Sequence, residues 1–340
     1  MLAALGAALV ASFLAGAGIG AVPIRPAEIA GILLSWLGLD SGWTFSAQQE
    51  IVLAAVRLPR TVLAVLTGAG LAAAGAALQG LFRNPLADPG LIGVSSGAAL
   101  AAVATIVMGA PLAAWLGVGS YTLMPLAAFG GGLAATFVVY RIGMRDGLAD
   151  TATMLLAGVA INAIALACIG FFTFVSDDRQ LRELNLWMLG SLGGVTWSTL
   201  LPALPFLILP LIGLPRLARA LNALLLGQSD AQYLGFDPAA VTRAAVVLAA
   251  LSVGAGVAIT GIVAFVGLVV PHLVRLVAGP DHRVLLPASM LLGAALMLVA
   301  DLIARTIVLP AELPIGVVTS IVGGPFFLWL LMRRRTAAGW

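Results

Sequence analysis

The stretch RLPRTVLAVLTGAGLAAAGAALQGLFRNPLADPGLIGVSSG, residues 57–97, decides how the rest of the chain is read. Arg57 and Arg60 stand three apart at its start, and residues 61–82 then carry no charge. An apolar run of about twenty residues is long enough to cross a bilayer as a helix. Arg83, Asn84, Pro85, Asp88 and Pro89 interrupt the run before the chain turns apolar again. The polar breaks place Arg57 and Arg60 at one membrane face and Asn84, Pro85 and Leu86 at the other. A crossing with a decorated mouth at each face suits a conduit better than an anchor.

Composition agrees. Of 340 residues, 61% are hydrophobic and 9% charged, against about 25% charged in ordinary soluble chains. No core of this size could hide so much apolar surface from water, so lipid is the expected solvent. The 40 glycines are spread through the apolar runs, as expected where helices pack backbone to backbone. The one cysteine, Cys168, offers no disulfide framework. All 17 basic residues are arginine, so the chain lacks the lysine of a phosphate-binding P-loop and a lysine for Schiff-base chemistry. The arginine surplus of a membrane protein reports orientation before nucleic acid, and no nucleic-acid partner is expected.

Ten spans are predicted, at about 1–22, 59–82, 91–109, 122–141, 151–174, 196–215, 240–262, 263–278, 284–304 and 312–332. Residues 1–22 lack the basic lead of a signal peptide and read as a first span. Residues 23–56 read as an external segment with an amphipathic piece near 29–37. The eighth span is short and holds Pro271, which predicts a partial helix broken inside the protein. With the N-terminus inside, Arg83, Arg141, Arg145, Arg216, Arg219, Arg243, Arg275, Arg283, Arg333, Arg334 and Arg335 are cytoplasmic. Arg25, Arg57, Arg60, Arg179, Arg182 and Arg305 are external. This obeys the positive-inside rule and puts both termini in the cytoplasm. The fold class is therefore an all-α polytopic membrane protein, one domain over 1–340. Its longest polar connection, about 216–239, offers Leu221, Leu224, Leu225 and Leu234 as an apolar face for a partner's groove.

Several strings, in order, resemble one family. They are RLPRT (57–61), NPLADPGLIGVSSGA (84–98), LLAGVAIN (155–162), LNALLLGQSDAQYLG (221–235), GIVAFVGLVVPHLVRL (261–276) and DHRVLLPAS (281–289). The closing run ADLIARTIVLPAELPIGVVTSIVGGPFFLWLL (300–331) is the most specific. Together they are similar to the permease subunits of ABC importers for vitamin B12, iron–siderophores and haem. The resemblance implies a type II ABC importer permease fold in the inner (cytoplasmic) membrane of a bacterium. Two copies would form a homodimer around a central path, over two ATPase subunits that bind the ATP and Mg, so that this chain holds no cofactor itself. A soluble binding protein would deliver substrate from outside.

The resemblance also assigns residues. Arg57, Arg60 and Arg305 match positions that hold glutamates of the binding protein, a task suited to arginine's planar, permanently charged fork. The plain alternative is interfacial anchoring by snorkelling. Asn84, Pro85 and Leu86 match a cytoplasmic gate, with Asn162, Ile164 and Ala165 of the fifth span opposite. Pro85 and Pro89 rule out a continuous helix there, and Leu86 is apolar enough to plug a dry constriction. The alternative is an ordinary Asn-Pro turn. Leu221, Asn222, Leu225, Gly227, Gln228, Ala231, Leu234 and Gly235 fall in the segment that would couple to the ATPase. There Gly227 and Gly235 end short helices, and Gln228, Ser229 and Asp230 read as a helix cap. Asp301 and Arg305, four apart, are expected to pair. His272 and His282 are spaced for no metal and read as structural or as facing the ATPase.

The run FFTFVSDDRQLRELNLWMLGSL (171–192) resembles haem permeases more than B12 permeases, although Asn185-Leu186 stand where Thr-Phe is commoner. Arg179 and Arg182 have the charge to meet haem propionates, and equally a siderophore's carboxylates or the binding protein. Haem is the expected substrate, with a ferric siderophore or cobalamin as alternatives. A proton-coupled transporter would need acids at the bilayer midplane, and only Asp301 comes near. No nucleophile–base pair or metal constellation suggests an enzyme.

Overall fold

The structure is a computed structural model that describes residues 1–39, 42–117, 119–145, 148–308 and 310–337. It is helical almost throughout. Helices run over Leu2–Gly18 (α1), Pro26–Trp36 (α2), Ala47–Ile51 (α3), Leu58–Leu81 (α4), Val94–Leu116 (α5), Ser120–Gly143 (α6), Thr151–Val175 (α7) and Asp178–Leu189 (α8). They continue over Trp197–Arg216 (α9), Ala218–Leu226 (α10), Gln228–Tyr233 (α11), Pro238–Thr260 (α12), Val266–Ala278 (α13), His282–Thr306 (α14) and Ile315–Ala337 (α15). A two-residue antiparallel pair, Met144–Arg145 with Leu148–Ala149, joins α6 to α7.

Among the described residues, six helices are long and apolar enough to span a membrane: Ala47–Leu81, Thr122–Gly143, Thr151–Val175, Trp197–Arg216, Pro238–Thr260 and His282–Thr306. Shorter apolar helices at Leu2–Gly18, Val94–Gly109, Val266–Ala278 and Ile315–Leu328 fall on the remaining four predicted spans. The chain is a multi-pass membrane protein of the expected all-α class. Acids are scarce, and several start helices. Asp150, Asp177, Asp237 and Asp281 each accept a backbone N–H from the first turn that follows, which satisfies donors with no partner inside the helix.

The helix read first is the one the others enclose. The apolar window of Ala47–Leu81 is 83% buried, against 22% for both Thr151–Val175 and Trp197–Arg216. It packs chiefly on α9, α12, α13 and α14, with α1 and α10 at its ends. Glycine permits the approach. A Cβ on Gly75 would stand 1.8 Å from the Gly267 carbonyl oxygen of α13, and one on Gly68 would stand 2.4 Å from that of Gly293 in α14.

Two boundaries differ from expectation. Residues 47–56 are helical, so the second span is longer than its apolar run. A π-helical stretch, Val52–Arg57, links α3 to α4. Its wider turn comes immediately before Pro59, which has no N–H to give. The break at the eighth span falls at 261–265, ahead of Pro271, where the chain is non-helical and Phe265 adopts φ +67°. Helix α13, at 13 residues, then rises only about 20 Å. Pro271 lies within it.

Candidate functional site

The charged side chains gather at two ends of the bundle. At one end, α4 and α14 bring Arg60 and Asp301 together. Arg60 donates from Nε to Asp301 Oδ1 at 2.9 Å, and its Nη2 lies 2.8 Å from the same oxygen. Its Nη1 donates to Glu312 Oε1 at 2.9 Å. Arg305 sits 3.8 Å from Asp301 Oδ2 and donates to the Gly16 carbonyl at 2.5 Å. Arg57 donates to the carbonyls of Ala17 and Gly18, each at 2.7 Å, and of Val22. Gly16, Ala17 and Gly18 lie in the last turn of α1 and Val22 just beyond it, and a helix leaves its last carbonyls without intrahelical partners and favours a cation there. Two arginines thus close the end of α1, and the third ties α4 to α14 and to the segment before α15.

The three arginines do not stand free at this end. Arg57, Arg60 and Arg305 are only 4%, 8% and 8% exposed, and each guanidinium is engaged within the chain. The exposed member of the cluster is Glu312, whose side chain is 43% open. The expected Asp301–Arg305 pair is present, but Arg60 holds Asp301 more closely.

Helix α8 reaches the same end. Its Gln180 donates to the Val107 carbonyl of α5. Just past its C-terminus, the Ser191 N–H donates to the Thr260 carbonyl and the Gly190 carbonyl accepts from the Ile315 N–H. Leu184 and Trp187 face inward, while Arg179 and Arg182 are exposed.

At the opposite end, the turn after α4 is built by its own side chains. Asn84 Oδ1 accepts from the Leu86 N–H at 3.0 Å, and Asp88 Oδ1 accepts from the Gly90 N–H at 2.7 Å. Asn84, Pro85 and Leu86 are half-buried. Helix α7 packs on the turn that follows. The Leu91 carbonyl oxygen sits so close to Gly158 that a Cβ there would be 1.7 Å away. Asn162 accepts from Ser96 Oγ at 2.5 Å and points its Nδ2 at the Gly90 carbonyl at 3.5 Å. Ala165 is buried and Ile164 faces outward. Asn162 thus meets Gly90 and Ser96 beyond the Asn84–Leu86 turn, and Ile164 lies on another face of α7.

The 216–239 connector is clasped to that turn. Arg83 donates to the Leu224 carbonyl at 3.0 Å. Asn222 donates to Asp281 Oδ1 at 2.6 Å and accepts from the His282 N–H at 2.9 Å. Its Oδ1 lies 2.8 Å from His282 Nδ1. Gln228 donates to the Ala149 carbonyl. The Arg283 guanidinium and N–H, with the Asn222 amide, hold the Asp281 carboxyl well below the usual carboxylate range. Gly227 and Gly235 take φ +152° and +84° and end the two short helices as predicted. Gln228, Ser229 and Asp230 do not form the expected cap, because Gly227 occupies that position.

Of the apolar face read from the connector's leucines, Leu234 is exposed and the other three turn toward the bundle. Leu221, Leu224 and Ala231 are buried against the bundle and Leu225 is half-buried. Leu226, Tyr233 and Leu234 are exposed, Tyr233 at 90%. Tyr233 and Leu226, both within the quoted string, join Leu234 on the exposed side. His282 is buried at the clasp, and no group that could hold a metal ion occurs among the described residues.

Residues 8–333 match the FecCD transport family. The chain is 50% identical over 282 residues to the hemin transport system permease protein of Yersinia pestis, covering 82% of this chain and 83% of that protein. It is 44% identical over 289 residues to the cobalamin import system permease protein of Halobacterium salinarum, covering 85% of this chain and 75% of that one. A solved inward-facing structure, described as a metal-chelate type ABC transporter, superposes with a TM-score of 0.83 at 30% identity, covering 98% of both chains. With a family match over nearly its whole length and a full-length likeness to a solved transporter, the chain belongs to the FecCD transport family.

Proposed function

We propose that this chain is the permease subunit of an ATP-driven importer that carries haem across the inner membrane of a bacterium. Two copies line the path, two ATPase subunits bind ATP and Mg beneath them, and a soluble binding protein delivers substrate. The arginine count turns the Arg60 end outward and the Arg83 end, with both termini, toward the cytoplasm. The observation that carries the reading is the clasp between connector and turn. Arg83 bridges the turn after α4 to the back of α10, while Leu226, Tyr233 and Leu234 stand ready on the other side. A partner that grips those three side chains pulls on the segment bonded to Arg83, the residue that leads into Asn84–Leu86. Hydrolysis in a separate subunit can thereby open a constriction made by Leu86 with Asn162 and Ala165 of α7.

Haem is favoured over cobalamin by the higher identity to the hemin permease. Arg179 and Arg182, exposed at the outward end, have the charge to meet its propionates. Proteoliposomes holding this chain and its ATPase, given haem-loaded binding protein, should accumulate haem only with ATP and Mg. Preferred uptake of cobalamin or of a ferric siderophore would replace the substrate and leave the architecture standing.

A further inference from the structure

Where the connector meets the ends of α4 and α13, the chain forms a cavity of about 290 Å³ whose lining includes Gln79, Arg83, Pro85, Leu225 and Arg275. Two guanidiniums stand in its wall and, among the described residues, no carboxylate does. The acid closest in sequence, Asp281, is engaged by Arg283 and Asn222. Both arginines are placed by the fold. Arg275 Nη1 donates to Gln79 Oε1 at 3.0 Å, and the buried Gln79 donates in turn to the Leu268 carbonyl of α13 at 3.2 Å. Arg83 takes φ +48°, the left-handed turn that closes a helix C-terminus. Among the described residues its one hydrogen bond runs from Nε to the Leu224 carbonyl, which leaves both Nη groups for a ligand. Arg275 lies in the last turn of α13, and the next two side chains, Leu276 and Val277, are exposed. A basic cavity therefore stands beside an apolar face where α13 ends. That pairing matches a phospholipid, which carries an anionic phosphate above its acyl chains.

We propose that this cavity takes a phosphate group, supplied by an anionic phospholipid of the cytoplasmic leaflet, with Arg83 and Arg275 as its ligands. The leaflet follows from the orientation proposed above. Basic pockets between spanning helices on the cytoplasmic side suit such headgroups, and guanidinium forks pair phosphate oxygens with two parallel hydrogen bonds. Arg83 already joins the connector to the turn that leads into Asn84–Leu86, and Arg275 belongs to α13. A phosphate held between them braces that turn against α13. The lipid thus stiffens the same joint through which a pull on the connector reaches the gate.

The test places the full chain in nanodiscs of phosphatidylcholine with or without phosphatidylglycerol, and native mass spectrometry counts the lipids that stay with it. Phosphatidylglycerol should be retained over phosphatidylcholine, and its presence should raise the unfolding midpoint. Arg83→Gln and Arg275→Gln should each weaken that retention about fivefold. Arg141→Gln, at an exposed arginine in the last turn of α6, should leave it unchanged. Equal retention of the two lipids by the unaltered chain, a result that needs no variant, overturns the site. Retention that both cavity variants leave unaltered overturns it as well, and so does an equal loss in Arg141→Gln. Inorganic phosphate added to phosphatidylcholine nanodiscs separates the two sources. If it raises the midpoint as far as phosphatidylglycerol does, and Arg83→Gln cancels the gain, the cavity takes free phosphate and the lipid assignment is overturned. Both leaflets of the nanodisc carry the same lipid, so the result does not depend on which end faces the cytoplasm, and its failure leaves the proposed transport function standing.

Discussion

Substituting Gly75 with alanine puts the packing of the central helix to the test. The added Cβ would lie 1.8 Å from the Gly267 carbonyl oxygen and 2.6 Å from its carbon. Real Cβ atoms essentially never approach closer than 3.0 Å, so α4 and α13 must part by the difference, 3.0 − 1.8 = 1.2 Å. Both atoms are backbone or fixed to it, and no side chain can swing aside. Overpacking of this kind costs about 1–3 kcal/mol. The gain from replacing a helical glycine, about 1 kcal/mol, offsets only part of it. Gly130 in α6 supplies the control. It is exposed, nothing lies within 4 Å of its virtual Cβ, and Gly130→Ala should be neutral or stabilising by up to about 1 kcal/mol. Thermal unfolding of both variants in one lipid or detergent should give shifts of opposite sign or clearly unequal size. Because Gly267 also packs on Pro89, the alanine at 75 should disturb the gate turn and slow transport. Equal stability for the two variants would refute the packing account.

Three other outcomes follow from the same geometry. Asp301→Asn leaves Arg60 with Glu312 alone and Arg305 with no carboxylate beside it, and should cost up to about 3 kcal/mol of stability, read as a fall in unfolding midpoint. Tyr233→Asp places a charge on a side chain that touches little of its own chain. It should leave the melting temperature unchanged and weaken ATPase binding at least tenfold in a pull-down titration. Leu86→Ala thins the proposed constriction and should raise passive leak of haem from loaded vesicles without altering ATPase binding.

The long apolar runs made the ten helices legible, because length and the lack of charge decide membrane crossing whatever the tertiary context. The centrality of α4 was legible too, since Gly68, Gly75 and the alanines between them suit close helix contact and little else. Residues 47–51 misled through Gln48, Gln49 and Glu50, whose polarity hides a helix that projects beyond the apolar layer. The arginines could not be placed from sequence, because their partners lie far along the chain. Arg57 reaches back to Ala17 and Arg60 forward to Glu312. Spacing within one helix favoured Arg305 for Asp301, yet Arg60 on another helix comes closer. On the connector, helical periodicity groups Leu221 with Leu224 and Leu225. It does not say which face turns to the bundle, and in a membrane protein both faces can be apolar.

The most direct test of the central claim, a passage driven by a separate engine, is haem uptake into proteoliposomes with and without the ATPase subunit. With the ATPase, binding protein, ATP and Mg all present, haem should accumulate against its gradient. Omission of the ATPase should abolish accumulation whatever ion gradient is imposed. Accumulation by this chain alone under a proton or sodium gradient would contradict the account.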